Sequence, residues 1–201
     1  MVETAGRDFR IVCLAGSAGA LDAYREILRG LPNDPGMAFV IVAHRGLENA
    51  DLLPQLLCRA TSMPVVEVTQ GMRLERNKVF LAPPHEDITT DGCVFHLQPS
   101  SDPNGWPTAI TNFLNSLAEM TGPRAVAVIL SGMSGDGSGA LAAIKTGGGL
   151  TFAQSDASYE SMPNAAVKTG HVDAQLSSSG IAEKLRALSH GLDEASRRKR
   201  H

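Results

Sequence analysis

A chain of 201 residues, 43% hydrophobic and 19% charged, has the make-up of one ordinary globular domain with a sizeable core. Its formal charge of −3 gives no footprint for general nucleic-acid binding, and the one basic run, Ser196-Arg197-Arg198-Lys199-Arg200-His201, reads as a solvated tail. Cys13, Cys58 and Cys93 are odd in number and lack C-x-x-C spacing, which argues against a disulfide framework or zinc site; with no signal peptide and no bilayer-length apolar stretch, the expectation is a cytoplasmic protein without membrane insertion.

Phe9 to Leu14 is a short buried strand, stopped by Ala15-Gly16-Ser17-Ala18-Gly19. Leu21, Tyr24, Ile27 and Leu28 then recur at helical spacing over 20–29, and Gly30 and Pro32 end that helix. Met37 to Ala43 is apolar throughout, as a strand covered on both faces must be. Leucines at 52, 53, 56 and 57 predict a helix over 51–60, and Val65 to Val68 a further strand. From Lys78 the pattern resembles antiparallel hairpin structure: Val79 to Ala82, Ile88 to Thr90, the turn pair Asp91-Gly92, and Cys93 to Leu97. A polar loop over 100–106 precedes a helix over 108–120, a strand over 124–130, a helix over 138–146 closed by Gly147-Gly148-Gly149, and a strand over 150–154. Residues 163–168 and 181–190 are the last predicted helices.

This alternation predicts an α/β fold: a doubly wound, mostly parallel sheet flanked by helices, with an antiparallel β-hairpin insertion. No repeat or linker divides the chain, so a single domain over 1–201 is expected, with a short polar N-terminus, a core of about 9–190 and a basic tail over 191–201.

Ligands of open parallel sheets bind beyond the carboxyl ends of the strands. Three turns with unusual residues leave such ends: Gly16-Ser17-Ala18-Gly19, Ala43-His44-Arg45-Gly46 and Ser131-Gly132-Met133-Ser134-Gly135-Asp136-Gly137. Taken singly, Ser17 fits a helix cap as well as a nucleophile, His44 a surface histidine as well as a base, and Asp136 a loop-stabilising carboxylate as well as the partner of that base. Together they supply the three parts of a nucleophilic relay. Neither glycine-rich turn matches a nucleotide-binding pattern, and no histidine pair has metal-ligand spacing on a helix, so no cofactor and no metal are expected.

At this level the residues resemble a known family. Leu14 to Ala20, Val40 to His44 and Leu130 to Gly137 are similar, in order, to signature blocks of the chemotaxis protein-glutamate methylesterase (CheB) catalytic domain. Thr61 to Val65, Gly71-Met72, Leu81 to Pro84, Met162 to Ala166 and Thr169 to Asp173 extend the likeness from about residue 9 to about 190. The resemblance implies a Ser17, His44, Asp136 triad in that chain order, where ordinary α/β-hydrolases run Ser, Asp, His. It implies a hydrolase that removes methyl esters from glutamyl side chains of chemoreceptor cytoplasmic helices, releases methanol and can deamidate glutamines. The N–H groups of Ala18 and Met133 are the candidates for the oxyanion hole, and Arg45 for a contact to substrate.

The likeness is closest to the form fused to, or paired with, a chemotaxis methyltransferase. Because the chain starts almost at its first strand, a stand-alone catalytic domain without a receiver domain is expected, and no phosphorylation control within it. Three departures stand out: Ala15-Gly16 before Ser17 with Ala18-Gly19-Ala20 after it, Ala43 where a Gln commonly precedes the histidine, and Trp106 to Thr111, which lacks the usual carboxylate. The altered turn raises two alternatives: a weakly active or inactive binding module of the same fold, or a serine esterase with another substrate.

Overall fold

A computed structural model of the chain describes residues 9–44, 52–84, 86–100 and 108–198, with side chains described as far as residue 189. The strand β1 (Ile11–Gly16) lies in the middle of a seven-stranded sheet. On one side it pairs with β2 (Ala38–Ala43), followed by β4 (Lys78–Leu81) and β3 (Val65–Glu67); on the other lie β7 (Ala125–Ile129), β8 (Leu150–Gln154) and β9 (Ala174–Leu176). Every pairing in this sheet is parallel.

The continuous apolar runs follow from this placement, because an inner parallel strand is covered on both faces. Ile11, Cys13 and Ala15 point to one face and join a core with Phe113, Leu117, Ile144 and Met162. These come from α3 (Ala109–Thr121), α4 (Leu141–Thr146) and α5 (Ser161–Lys168). Val12 and Leu14 point to the other face and pack with Tyr24, Ile27, Leu57 and Leu185. Those residues belong to α1 (Ala20–Arg29), α2 (Leu52–Cys58) and α6 (Ser178–Arg198). Where α1 ends against α6, a Cβ on Gly30 would lie 2.6 Å from the Ala182 Cβ, so the glycine lets the two helices approach. Burial pushes the Cys13 thiol far above its ordinary range, with the charge of Asp136 adding to the effect, so it packs as a small apolar side chain.

The reading of Val79 to Ala82 as hairpin structure is corrected by the structure: β4 is an inner parallel strand between β2 and β3. Its burial on both faces and the Pro83-Pro84 pair after it explain the change, since prolines stop the ladder before the insertion begins. The antiparallel hairpin itself is β5 (Glu86–Thr90) with β6 (Phe95–Pro99), a separate two-stranded sheet. Asp91 turns it, its Oδ1 accepting the N–H groups of Cys93 at 2.8 Å and Val94 at 2.9 Å, while Gly92 takes φ 84°. The hairpin packs on α3 through Phe95 and Phe113, whose ring centroids are 6.4 Å apart. Helix α6 runs to Arg198, two turns past the predicted end at His190 and into the expected tail. No described helix is long and apolar enough to cross a membrane.

Candidate active site

The sheet order makes β1 the point where the chain's path reverses: β2 follows on one side, and β7 is added on the other. The crevice beyond the carboxyl ends of these three strands is where a doubly wound sheet leaves room for a ligand. Ser17 follows β1, His44 follows β2, and the loop carrying Asp136 follows β7.

Ser17 and His44 each stand one residue beyond the paired positions Gly16 and Ala43. The His44 N–H donates to the Gly16 carbonyl at 3.4 Å, so the two residues leave the sheet side by side, about one strand spacing (~4.8 Å) apart. Among the described residues the Ser17 hydroxyl makes no hydrogen bond. It does not cap α1 either: the cap position is Gly19, with φ 74° and no side-chain cap bond.

The imidazole of His44 meets the carboxylate of Asp136, with Nε2 2.8 Å from Oδ2. The carboxylate accepts three further hydrogen bonds. The Ile110 N–H donates to Oδ2 at 2.9 Å, the Thr111 N–H to Oδ1 at 3.0 Å, and the Thr111 hydroxyl to Oδ1 at 2.6 Å. Ile110 and Thr111 are the second and third residues of α3, whose own cap residue, Thr108, makes no side-chain cap bond. Asp136 is therefore the N-terminal cap of α3, supplied from a loop 25 residues downstream. Burial would push this carboxyl up, but the hydrogen bonds from His44 and Thr111 and the two backbone N–H groups outweigh it and hold the group below the usual carboxylate range.

An ionised carboxylate only accepts, so the His44 Nε2 carries a proton toward Asp136. That leaves Nδ1 as the ring's acceptor, available to a hydroxyl.

The turn around Ser17 is clamped by Ser131, a residue that nothing in the local sequence marks out. The Ser17 N–H donates to the Ser131 carbonyl at 2.9 Å, and the Ser131 hydroxyl donates to the Ala18 carbonyl at 2.8 Å and accepts the Tyr159 N–H at 3.0 Å. The Ser131 N–H in turn donates to Gln154 Oε1 at 2.9 Å, and the Gln154 amide is fixed by Asp156 at 2.9 Å and Ser178 at 3.1 Å. With its N–H held by Ser131, Ser17 does not offer that group to a ligand, whereas among the described residues the N–H groups of Ala18 and Met133 have no partner. Met133 is 67% exposed. Arg45 lies outside the described residues, as do His85, Trp106 and Pro107. No group of three or more His, Cys, Asp or Glu side chains that could hold a metal ion occurs among the described residues.

Gly132 packs against both the turn around Ser17 and α5. A Cβ there would run into Met162 Sδ and lie 3.1 Å from the Ser17 Cβ. The backbone is pinned by the bonds Gly132 N–H to Tyr159 carbonyl at 3.0 Å and Met162 N–H to Gly132 carbonyl at 3.1 Å, so it has little room to retreat. Gly132→Ala is expected to cost about 1–3 kcal/mol in chemical denaturation and to slow covalent labelling of Ser17 by a phosphonate, while Gly139→Ala, where a Cβ meets open space, does neither.

A family model described as CheB methylesterase matches residues 12–185. An uncharacterized 104.1 kDa protein of Rhodobacter capsulatus is 40% identical over 126 residues, covering 62% of this chain and 13% of that protein. Protein-glutamate methylesterase/protein-glutamine glutaminase 3 of Anaeromyxobacter dehalogenans is 33% identical over 180 residues, covering 88% of this chain and 53% of that one. The crystal structure of the Thermotoga maritima CheB methylesterase catalytic domain superposes with a TM-score of 0.82 at 28% identity, covering 90% of this chain and 98% of that one. The chain thus spans about half the length of the methylesterases among its curated relatives and nearly the whole of a solved catalytic domain.

Proposed function

This chain belongs to the CheB methylesterase family, and from that premise we propose that it hydrolyses methyl esters of glutamyl side chains through Ser17, His44 and Asp136. The observation that carries the reading is the 2.8 Å bond between His44 and Asp136, set at the strand end next to Ser17.

Ser17 Oγ attacks the ester carbonyl while His44 Nδ1 takes its proton, and Asp136 steadies the imidazolium through Nε2. The negative oxygen of the tetrahedral intermediate is received by the N–H groups of Ala18 and Met133, a contribution of roughly 3–4 kcal/mol per donor in such sites. Collapse expels the methoxide, which takes the proton from His44 and leaves as methanol. Water, deprotonated by the same imidazole, then attacks the acyl-enzyme and releases the glutamate carboxylate. With a glutamine substrate the leaving group is ammonia and the remaining steps are the same, which is the second activity in the name of the A. dehalogenans relative.

The substrates we assign are methylated helices of chemoreceptors on their cytoplasmic side, which places the activity in the cytoplasm. A chemotaxis methyltransferase is the companion that would form the ester. The chain acts in this reading as one catalytic domain.

A second reading, a binding module that turns over little, is favoured by the absence of a Ser17 hydroxyl bond to His44 among the described residues. One experiment separates them. The protein and its Ser17→Ala variant are treated with a serine-directed phosphonate, and methanol release from methylated receptor is measured. Labelling at Ser17 together with methanol release is the expected result. Labelling without release points to a serine esterase for another substrate, and a folded protein that does not label is the binding module.

A further inference from the structure

A carboxylate offers about four acceptor positions, and all four on Asp136 are taken: two on Oδ2 by His44 and the Ile110 N–H, two on Oδ1 by the N–H and hydroxyl of Thr111. The Thr111 hydroxyl is itself oriented, because it accepts the Gly137 N–H at 2.9 Å. With that N–H on one of its lone pairs, and a carboxylate oxygen that can only accept 2.6 Å away, its single proton points at Asp136 Oδ1. The hydroxyl thus bridges the carboxylate and the backbone of the next residue in the same loop. Capping of α3 needs only the two backbone N–H groups, which any residue but proline at 111 would supply. The hydroxyl bond is separable from the capping: it adds a donor from the side chain that ties the carboxylate plane to the loop.

We propose that Thr111 is a positioning residue, holding through its hydroxyl the plane of the Asp136 carboxylate so that one oxygen faces the base. The proposal rests on His44 and Asp136 being base and orienting acid of the reaction above. Thr111 falls within the stretch, Trp106 to Thr111, where the expected carboxylate is missing, and its hydroxyl is a neutral donor placed beside a carboxylate that a second negative charge would repel.

The test compares Thr111→Val, which keeps the side-chain shape and the N–H, with Thr111→Ser, which restores the hydroxyl. In Thr111→Val, kcat for methanol release is expected to fall roughly 10- to 100-fold with KM within about twofold, the scale of a misplaced catalytic group. In Thr111→Ser it returns to within about threefold of the parent. The ring 15N resonances of His44, read by NMR without substrate, give a measurement independent of turnover. The parent and the Ser variant should show one tautomer protonated at Nε2, and the Val variant a mixture. Should Thr111→Val fold poorly, Thr111→Ala serves the same comparison. A parent that neither labels nor releases methanol ends the functional reading, yet the NMR still decides the role of Thr111. Unchanged tautomer populations in the Val or Ala variant overturn the proposal, as does an unchanged kcat in an active enzyme.

Discussion

Ser17→Ala and His44→Ala are each expected to lower turnover by about 10⁴- to 10⁶-fold, and the double variant to be no worse than either alone. In the proposed mechanism the two groups perform one event, transfer of a proton from the hydroxyl to the imidazole as the carbon–oxygen bond forms, so removing either would remove the whole event. Folding should be almost untouched by the first change. The contacts of Ser17 that shape the turn are main-chain ones, its N–H to the Ser131 carbonyl at 2.9 Å and its carbonyl from the Ala20 N–H at 3.2 Å, and both survive in alanine. Stability within about 0.5 kcal/mol of the parent is therefore expected for Ser17→Ala. Steady-state methanol release and urea denaturation on the same samples check both parts. Loss of activity that tracked loss of stability would sink the assignment, as would a double variant many-fold slower than the singles.

Much of this site could be read from the chain because its parts lie at the ends of apolar runs. Val12 to Ala15, Ala38 to Val42 and Ala125 to Ile129 are too uniformly apolar to be half-exposed, and the break in each run, glycine-rich after the first and third, marks where the backbone leaves the sheet. Three such turns on parallel strands must share an edge. What local pattern could not convey is which strands neighbour one another. Val79 to Leu81 reads equally well as hairpin or inner strand, and only its pairing with Ala38 to Ile41 decides. The edge strand Ala174–Leu176 has three residues and no apolar run to announce it. The supports of the site were hidden for the same reason. Ser131 clamps a turn 113 residues earlier through the Ala18 carbonyl, and Thr111 finds Asp136 25 residues on. A serine between a strand and a glycine, or a threonine in the first turn of a helix, has an ordinary local explanation that gives no hint of the distant partner. Ser17 is the converse case, a residue whose local explanation as a helix cap was available and which caps nothing.

Asp136→Ala is expected to cost both activity and stability, because the residue holds two structures at once. Its loss leaves the His44 ring without an acceptor on Nε2 and lowers turnover by about 10⁴-fold. It also strips the cap from α3, leaving the N–H groups of Ile110 and Thr111 unpaired where Ile110 is fully buried, a loss of about 2–4 kcal/mol. Asparagine is not a mild replacement here. Both oxygens of Asp136 face donors only, so an amide nitrogen placed at Oδ2 meets His44 and the Ile110 N–H, and one placed at Oδ1 meets both donors of Thr111. Asp136→Asn should therefore lose stability as well as activity, unlike a carboxylate whose only partner is the histidine. The pH dependence gives an independent check. The folded-state pKa lies below the unfolded value of about 3.9, so between the two the unfolded chain binds more protons and stability rises with pH. The contribution of this carboxylate is complete above the unfolded value and is lost as pH falls through the folded one. Urea denaturation from pH 6 down into the acid range should show a steeper loss in the parent than in Asp136→Ala, so that the two curves converge in acid. Parallel curves would mean that the bonds to α3 and His44 do not stabilise the ionised carboxylate, and with that the double role assigned to Asp136 would fall.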